Sequence, residues 1–274
     1  METTQVNLPE TIATSNIYRS HLAFGSANSV GQSRSQNEDS LFASSFFAMG
    51  LTDPFEIGIF AVADGMGGHL SGEVASNIAI STISNNLLAR LVIPFQGLKQ
   101  ENNIDAIESA IEDAFMAAQG EVLRAAPGGG TTLTLAVYFG NHVIWGHVGD
   151  SRLYHLDKRS NLHRITHDHS LVGRLVELGQ ISEAEVEDHP QKNVLIKALG
   201  QSDKFKVDLG HFTFDPGEKV MLCSDGLWGQ VPDKNMLSLI KASAGLSQAC
   251  SALVQAANDT GGPDNISVIM VEYQ

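Results

Sequence analysis

The chain has 274 residues, 43% of them hydrophobic and 18% charged, with a formal net charge of −14 at pH 7. That is apolar content enough for a sizeable core, and the acidic balance argues against nucleic acid or an anionic membrane as partner. Two cysteines, Cys223 and Cys250, are too few for a disulfide framework. No apolar run reaches the length of a membrane span, and Met1–Gln5 lacks the basic and apolar regions of a signal peptide. A soluble, cytoplasmic, monomeric protein is expected.

Residues 1–17 are polar and weakly patterned and read as a tail ahead of a domain over 18–274. A strand near Ser20–Ser26 leads to a loop carrying Arg34, Glu38 and Asp39, then to apolar Leu41–Phe47. Adjacent acids on a strand point to opposite faces, so only one of Glu38 and Asp39 is directed straight inward. Ile57–Ala63 reads as a buried strand ending on Asp64 and a glycine-rich turn, Gly65-Met66-Gly67-Gly68-His69. Helical spacing follows over Ser71–Leu91 and Ile104–Leu123. Pro127-Gly128-Gly129-Gly130 breaks the pattern; no Gly-Lys-Ser/Thr comes after it, so it is not a nucleotide phosphate loop.

The next segments, Thr131–Phe139, His142–Val148, Ser151–Leu156 and Leu162–Ile165, read as an antiparallel meander with turns at Gly140-Asn141 and Gly149-Asp150. Such a series disfavours a doubly wound nucleotide fold. His163, His167 and His169 match no zinc spacing, and no cysteine pair accompanies them. A short helix, Leu171–Gly179, and a polar stretch to Gly200 read as a surface flap over 171–200. Strands at Val207–Phe214 and Lys219–Ser224 follow, the second ending on Asp225-Gly226. Helices are expected at Asp233–Ser243 and Leu246–Asp259, then a strand over Ile266–Tyr273 introduced by Asp264-Asn265.

Five acidic turns therefore stand beside strand ends: Glu38/Asp39, Asp64, Asp150, Asp225 and Asp264. A lone Asp-Gly is an ordinary turn; the recurrence carries the weight. Carboxylates brought together repel unless cations lie between them, and hard oxygen ligands suit Mg²⁺ or Mn²⁺. Two such ions roughly 3.5–4 Å apart can activate a shared water and clamp a phosphoryl group. Arg34 offers the bidentate contact a phosphate dianion needs.

In this order the residues resemble the metal-dependent (PPM-type, type 2C) protein serine/threonine phosphatases of the compact bacterial kind. The resemblance runs from about His21 to Tyr273. It is carried by Arg34-x-x-Asn37-Glu38-Asp39, Asp64-Gly65-Met66-Gly67-Gly68-His69, Gly129-Gly130-Thr131-Thr132, Gly149-Asp150-Ser151-Arg152, Thr166-x-Asp168-His169-Ser170, Ser224-Asp225-Gly226-Leu227-Trp228 and Asp264-Asn265-Ile266-Ser267. It implies an α+β fold, a four-layer α-β-β-α sandwich of two mainly antiparallel sheets flanked by helix pairs. It implies two or three Mn²⁺ or Mg²⁺ ions: Asp64 bridging two of them, the Gly65 carbonyl on the second, and Asp225 and Asp264 on the first. Asp39 and Glu38 would act on the second largely through water, and Asp150 with Asp225 would form a weaker third site. Arg34 would bind the phosphate, with Arg34 and Asp64 at the centre of catalysis and His69 beside the substrate. The reaction implied is hydrolysis of phosphoserine or phosphothreonine on proteins, targets of a Ser/Thr kinase, by direct attack of a metal-bridging water without a phosphoenzyme. Some eukaryotic members carry a histidine at the position of Met66, proposed there as the general acid. Methionine donates no proton, so that role falls here to a metal-bound water or to His69. The rival readings are a scaffold on the same fold and a hydrolase of small phosphorylated molecules.

Overall fold

Near-continuous apolar runs, as in Leu133–Phe139, Lys219–Cys223 and Ile266–Tyr273, are buried along almost their whole length and so are covered on both faces, while the edge strands keep a partly exposed side. The computed structural model describes residues 22–49, 54–67, 70–92, 104–186, 189–201 and 206–274. Its first half comprises β1 (Leu22–Ser29), β2 (Asp39–Met49), β3 (Pro54–Met66), α1 (Leu70–Leu87), α2 (Ile104–Ala125), β4 (Gly130–Thr131), β5 (Leu133–Phe139) and β6 (His142–Val148). The second half comprises β7 (Arg152–Leu156), β8 (Leu162–Arg164), α3 (Leu171–Glu177), α4 (Glu183–Val186), β9 (Asp208–Thr213), β10 (Lys219–Cys223), α5 (Asp225–Trp228), α6 (Asp233–Ala242), α7 (Leu246–Asp259) and β11 (Ile266–Tyr273). One sheet runs β1-β11-β10-β7-β8, the other β2-β3-β5-β6-β9 with β4 beside the end of β3, and all pairs are antiparallel.

The layers follow from side-chain direction. Ile57, Ile59, Ala61 and Ala63 of β3 pack with Ile83 and Leu87 of α1 and Ile111 and Phe115 of α2. Phe60 and Val62, on the opposite face of the same strand, meet Leu153, Leu222 and Ile269 of the other sheet. Val268 and Met270 of β11 face Met236 of α6 and Leu253 of α7. Three apolar layers separate four structural ones, the expected α-β-β-α sandwich. A fully buried side chain such as Ile59 or Leu135 contributes on the order of 1.5–3 kcal/mol.

Three local expectations are corrected. The glycine turn expected after Asp64 is strand: β3 continues to Met66, with Gly65 opposite Thr131 and Met66 opposite Gly130. The glycine turn at Asp225 is a single helical turn, α5. The meander is split, since β6 lies in one sheet and β7 in the other, so Gly149-Asp150 carries the chain across the sandwich. Strands buried on both faces look alike in sequence whichever sheet they join. The stretch 171–200 contains α3 and α4, and its end is fastened: Leu199 exchanges backbone hydrogen bonds with Thr131 at 3.1 and 2.9 Å. The tail 1–17 and His69 lie outside the described residues.

Candidate metal centre

Strand register brings the acids to one end of the sandwich. Asp39 opens β2 directly opposite Asp64 on β3. Cys223, the last residue of β10, is paired with Arg152 at the start of β7 and with Val268 near the start of β11. The residues flanking those ends are Asp150, Asp225 and Asp264. Burial pushes the Asp64 carboxyl well above the ordinary range, and Asp39, Asp225, Asp150 and Asp264 each push it further. All five aspartates thus share one electrostatic neighbourhood.

Specific bonds hold Asp39 and the backbone that carries Asp64, Glu38 and Asp150. The Asp64 backbone N–H donates to Thr132 Oγ1 at 2.9 Å, and the Asp64 carbonyl accepts from Thr132 N and from Thr131 Oγ1, both at 2.9 Å. Ser224 Oγ donates to Asp39 Oδ2 at 2.8 Å while accepting from Ser267 N at 2.9 Å, so one hydroxyl links β2, β10 and β11. Asn265 donates from Nδ2 to the carbonyls of Val30 and Gln36, both at 2.9 Å, and its Oδ1 accepts from Glu38 N at 2.7 Å. That single amide folds the 30–38 loop onto the start of β11. The Trp228 indole donates to the Asp150 carbonyl at 3.0 Å, and the Arg152 guanidinium lies 3.5 Å over the same indole. Arg152 also forms a two-pronged bond with Asp168 at 3.0 and 2.7 Å.

Close backbone approach is as important as hydrogen bonding. A Cβ on Gly65 would stand 2.2 Å from the Gly72 carbonyl oxygen, and one on Gly226 would stand 2.0 Å from that of Asn265. Only glycine lets α1 meet β3, and α5 meet β11, at these points.

Burial, with the charges of Asp225 and Asp264 behind it, moves Asp39 up to about 7 against the pull of the Ser224 hydroxyl. Burial and Asp264 move Asp225 up to about 6. Burial, then Asp225 and Asp168, raises Asp150, with Arg152 opposing. Asp39 Oδ1 and Asp225 Oδ1 are buried without a hydrogen-bond partner. Unpaired oxygens amid like charges fit a divalent cation, which would supply both the missing partner and the missing positive charge. Among the described residues, no group of three or more aspartate, glutamate, histidine or cysteine side chains stands close enough together to hold a metal ion without side-chain movement.

The remaining candidates fall around this centre. The Glu38 carboxylate abuts the α1 backbone, with Oε2 where it would meet a Cβ on Gly72 at 2.8 Å, and its carbonyl accepts from Gly65 N at 3.1 Å. Arg34 is about half exposed and donates from Nη2 to Asp264 Oδ2 at 2.8 Å. Met66 takes a long contact, 3.6 Å, from the Gln201 amide to its sulfur. The histidines near 163–169 bind no common point: His163 pairs with Asp157 and His169 with Asp208. Cys223 is a free, fully buried thiol whose pKa burial pushes up, so it is no nucleophile.

Sequence reasoning missed Ser224 as the support of Asp39, Gly72 as the seat of Glu38, and Asp208 as the partner of His169. Ser224 stands next to a flagged aspartate, which is a usable signal; Asp208 and Gly72 carry none, since their roles arise from contacts 39 and 34 residues away.

The protein phosphatase 2C family matches residues 33–267. The chain is 36% identical over 220 residues to a serine/threonine phosphatase, stp, of Listeria monocytogenes serovar 1/2a, covering 78% of this chain and 84% of that one. The solved S. agalactiae serine/threonine phosphatase superposes with a TM-score of 0.78 at 27% identity, covering 92% of this chain and 100% of that one. The catalytic domain of the serine/threonine phosphatase PstP, solved in complex with 2 manganese ions, superposes with a TM-score of 0.74 at 29% identity, covering 92% and 97%. With the acids of two sheets gathered at one end of an α-β-β-α sandwich, this chain belongs to the protein phosphatase 2C family of metal-dependent serine/threonine protein phosphatases.

Proposed function

We propose that Asp39, Asp64, Asp150, Asp225 and Asp264, with Glu38 and the Gly65 carbonyl, hold two or three Mn²⁺ or Mg²⁺ ions, and that Arg34 binds the phosphate of a phosphoserine or phosphothreonine side chain. The observation that supports this most is the electrostatic convergence of five aspartates in which two buried carboxylate oxygens lack partners. Bound divalent cations would supply the positive charge that activates water at neutral pH and offsets the phosphate. Asp64, whose carboxyl feels the charge of all four other aspartates, would be the ligand common to two ions. Asp225, just after β10, and Asp264, just before β11, would share one ion. Asp39 and Glu38 approach from the β2 side, and Asp150 from the crossing between sheets.

Arg34 already touches the rim of this cluster through Asp264, and its planar fork of donors suits a phosphate dianion. The Cys223 thiol is buried with its pKa pushed up and the Ser224 hydroxyl is committed to Asp39, so neither is offered as a nucleophile, which supports hydrolysis without a phosphoenzyme. The domain is taken as 18–274, with 171–200 as the flap beside the cleft and 1–17 as a tail. Every ligand comes from a single chain, so a monomer suffices. Substrates would be phosphorylated proteins, the targets of a Ser/Thr kinase; the net charge of −14 disfavours nucleic acid. No helix among the described residues is long and apolar enough to cross a membrane.

The test is hydrolysis of p-nitrophenyl phosphate and of a phosphothreonine peptide, in EDTA and after Mn²⁺ or Mg²⁺ is restored. Activity lost with chelator and regained with metal is expected. Equal turnover in both conditions would sink the metal assignment, and turnover of nucleotides or sugar phosphates in preference to the peptide would redirect the substrate class.

A further inference from the structure

A second polar network lies against the Asp150 crossing and has no part in the ligand set above. The backbone N–H of His169 donates to the Gly149 carbonyl at 2.7 Å, and the Gly149 N–H donates to His169 Nδ1 at 3.1 Å. A backbone N–H can only donate, so Nδ1 is the unprotonated nitrogen and the ring proton sits on Nε2. His169 Nε2 faces Asp208 Oδ2 at 3.0 Å, a carboxylate that can only accept. Both neighbours therefore demand the same tautomer.

The other Asp208 oxygen accepts from Lys197 Nζ at 2.7 Å. Burial keeps His169 below its ordinary pKa despite the pull of Asp208, consistent with a neutral ring. Burial works against the Asp208 carboxylate, but Lys197 and His169 outweigh it and hold it below the usual range. The His169 ring stacks on the fully buried His147 ring with centroids 4.9 Å apart, so it has little freedom to tilt. On the far side, Ile196 N donates to the His169 carbonyl at 2.9 Å, which brings the end of the 171–200 stretch into the same network.

We infer that His169 is a positioning residue for Asp150: held in its Nε2–H form by Asp208, it grips both backbone polar groups of Gly149, and Lys197 ties that grip to the 194–199 segment. The inference rests on the reading of Asp150 as a metal ligand and extends it to residues that touch neither metal nor substrate.

The chemistry of Asp208 makes a sharp test. In Asp208→Asn only one oxygen remains, and Lys197, which carries three donors and no acceptor, claims it. The amide NH₂ then faces Nε2 as a donor, which forces the ring proton onto Nδ1 and sets two N–H groups against each other at Gly149. Adding Lys197→Met frees the amide to turn over and present its oxygen to Nε2–H. The double variant is therefore expected to recover what the single one loses, whereas a merely structural loss would accumulate.

The measurements are the histidine tautomer by ¹⁵N NMR on metal-free protein and Mn²⁺ binding by calorimetry, with Asp150→Asn as reference. Expected are Nε2–H at His169 in the unaltered protein and in Lys197→Met, and Nδ1–H in Asp208→Asn. The weakest-bound Mn²⁺ should weaken roughly ten- to a hundredfold in Asp208→Asn, as for loss of other outer partners of metal ligands. Both changes should reverse in Lys197→Met/Asp208→Asn. An Nδ1–H ring in the unaltered protein, a measurement that needs no variant to fold, would overturn the inference. So would a double variant no better than the single one, or Mn²⁺ affinity unchanged in Asp208→Asn while Asp150→Asn weakens it. Unchanged Mn²⁺ binding in Asp150→Asn would overturn the metal role of Asp150 instead, and the tautomer would still decide whether His169 grips Gly149 as described.

Discussion

Asp39 and Asp225 each bury a carboxylate oxygen with no partner, an arrangement that costs about 1–3 kcal/mol per group when nothing external completes it. Neutralising one such acid while keeping its shape separates charge from packing. Asp64→Asn and Asp225→Asn are expected to keep the native circular dichroism spectrum and to lower kcat by about 10²–10³-fold or more, the scale of losing one strong electrostatic contact in a transition state. Native turnover from either folded variant would remove that residue from the centre. Arg34→Ala deletes a charge-assisted contact worth about 1.5–3 kcal/mol, so kcat/KM should fall roughly ten- to a hundredfold, mainly through KM. A fall confined to kcat would mean that the guanidinium acts on the transition state and not on the bound phosphate.

Between elements, the centre depends on places where two backbones touch. Gly226 at the start of α5 lies against Asn265 ahead of β11, and a methyl group would stand 2.0 Å from the Asn265 carbonyl oxygen. Gly226→Ala is therefore expected to destabilise by about 1–3 kcal/mol or more. That corresponds to a melting point lower by roughly 2–4 °C per kcal/mol for a domain of this size. The Asn265 amide that anchors the 30–38 loop would shift with it. An unchanged melting point would show that α5 and β11 can move apart, contrary to the contact described. The same logic explains why β3 runs through Asp64-Gly65 as strand: Thr131 and Thr132 hold it from one side and Gly72 admits it on the other.

At the scale of the whole molecule, a cluster of repelling acids makes stability depend on pH and on metal. Burial raises Asp39 to about 7 and Asp225 to about 6, from 3.8. An acid whose pKa is higher in the folded than in the unfolded state binds its proton more tightly when folded. Its favourable contribution is complete below the unfolded value and is lost as pH climbs through the folded one. Metal-free protein should therefore melt at a higher temperature near about pH 5, below both raised values, than near about pH 7.5, above both. Saturating Mn²⁺ should raise the melting point most at the higher pH, where the carboxylates are ionised and free to bind it. Scanning calorimetry in EDTA and in Mn²⁺ checks this, and a metal-free melting point that rises from about pH 5 to about pH 7.5 would contradict the raised values.

Local pattern was enough to place α7 at Leu246–Asp259 and β11 at Ile266–Tyr273, because an amphipathic helix repeats its apolar residues with the helical period and a doubly buried strand shows as a short unbroken apolar run bounded by turn residues. The acids were legible for a related reason: a carboxylate at the end of an apolar strand is costly, and five of them invite an explanation in charge. What the linear chain could not show was which strand ends meet. Gly149-Asp150 looks like a hairpin turn and is a crossing between sheets, because a strand buried on both faces carries no mark of its sheet. Likewise the support of Asp39 by Ser224, 185 residues away, and of His169 by Asp208, 39 residues away, exists only once long-range pairing has closed. Local patterns determined which residues bear the chemistry, while the packing of two sheets decided which of them act together, since hydrogen bonds and charges depend on distance in space and not along the chain.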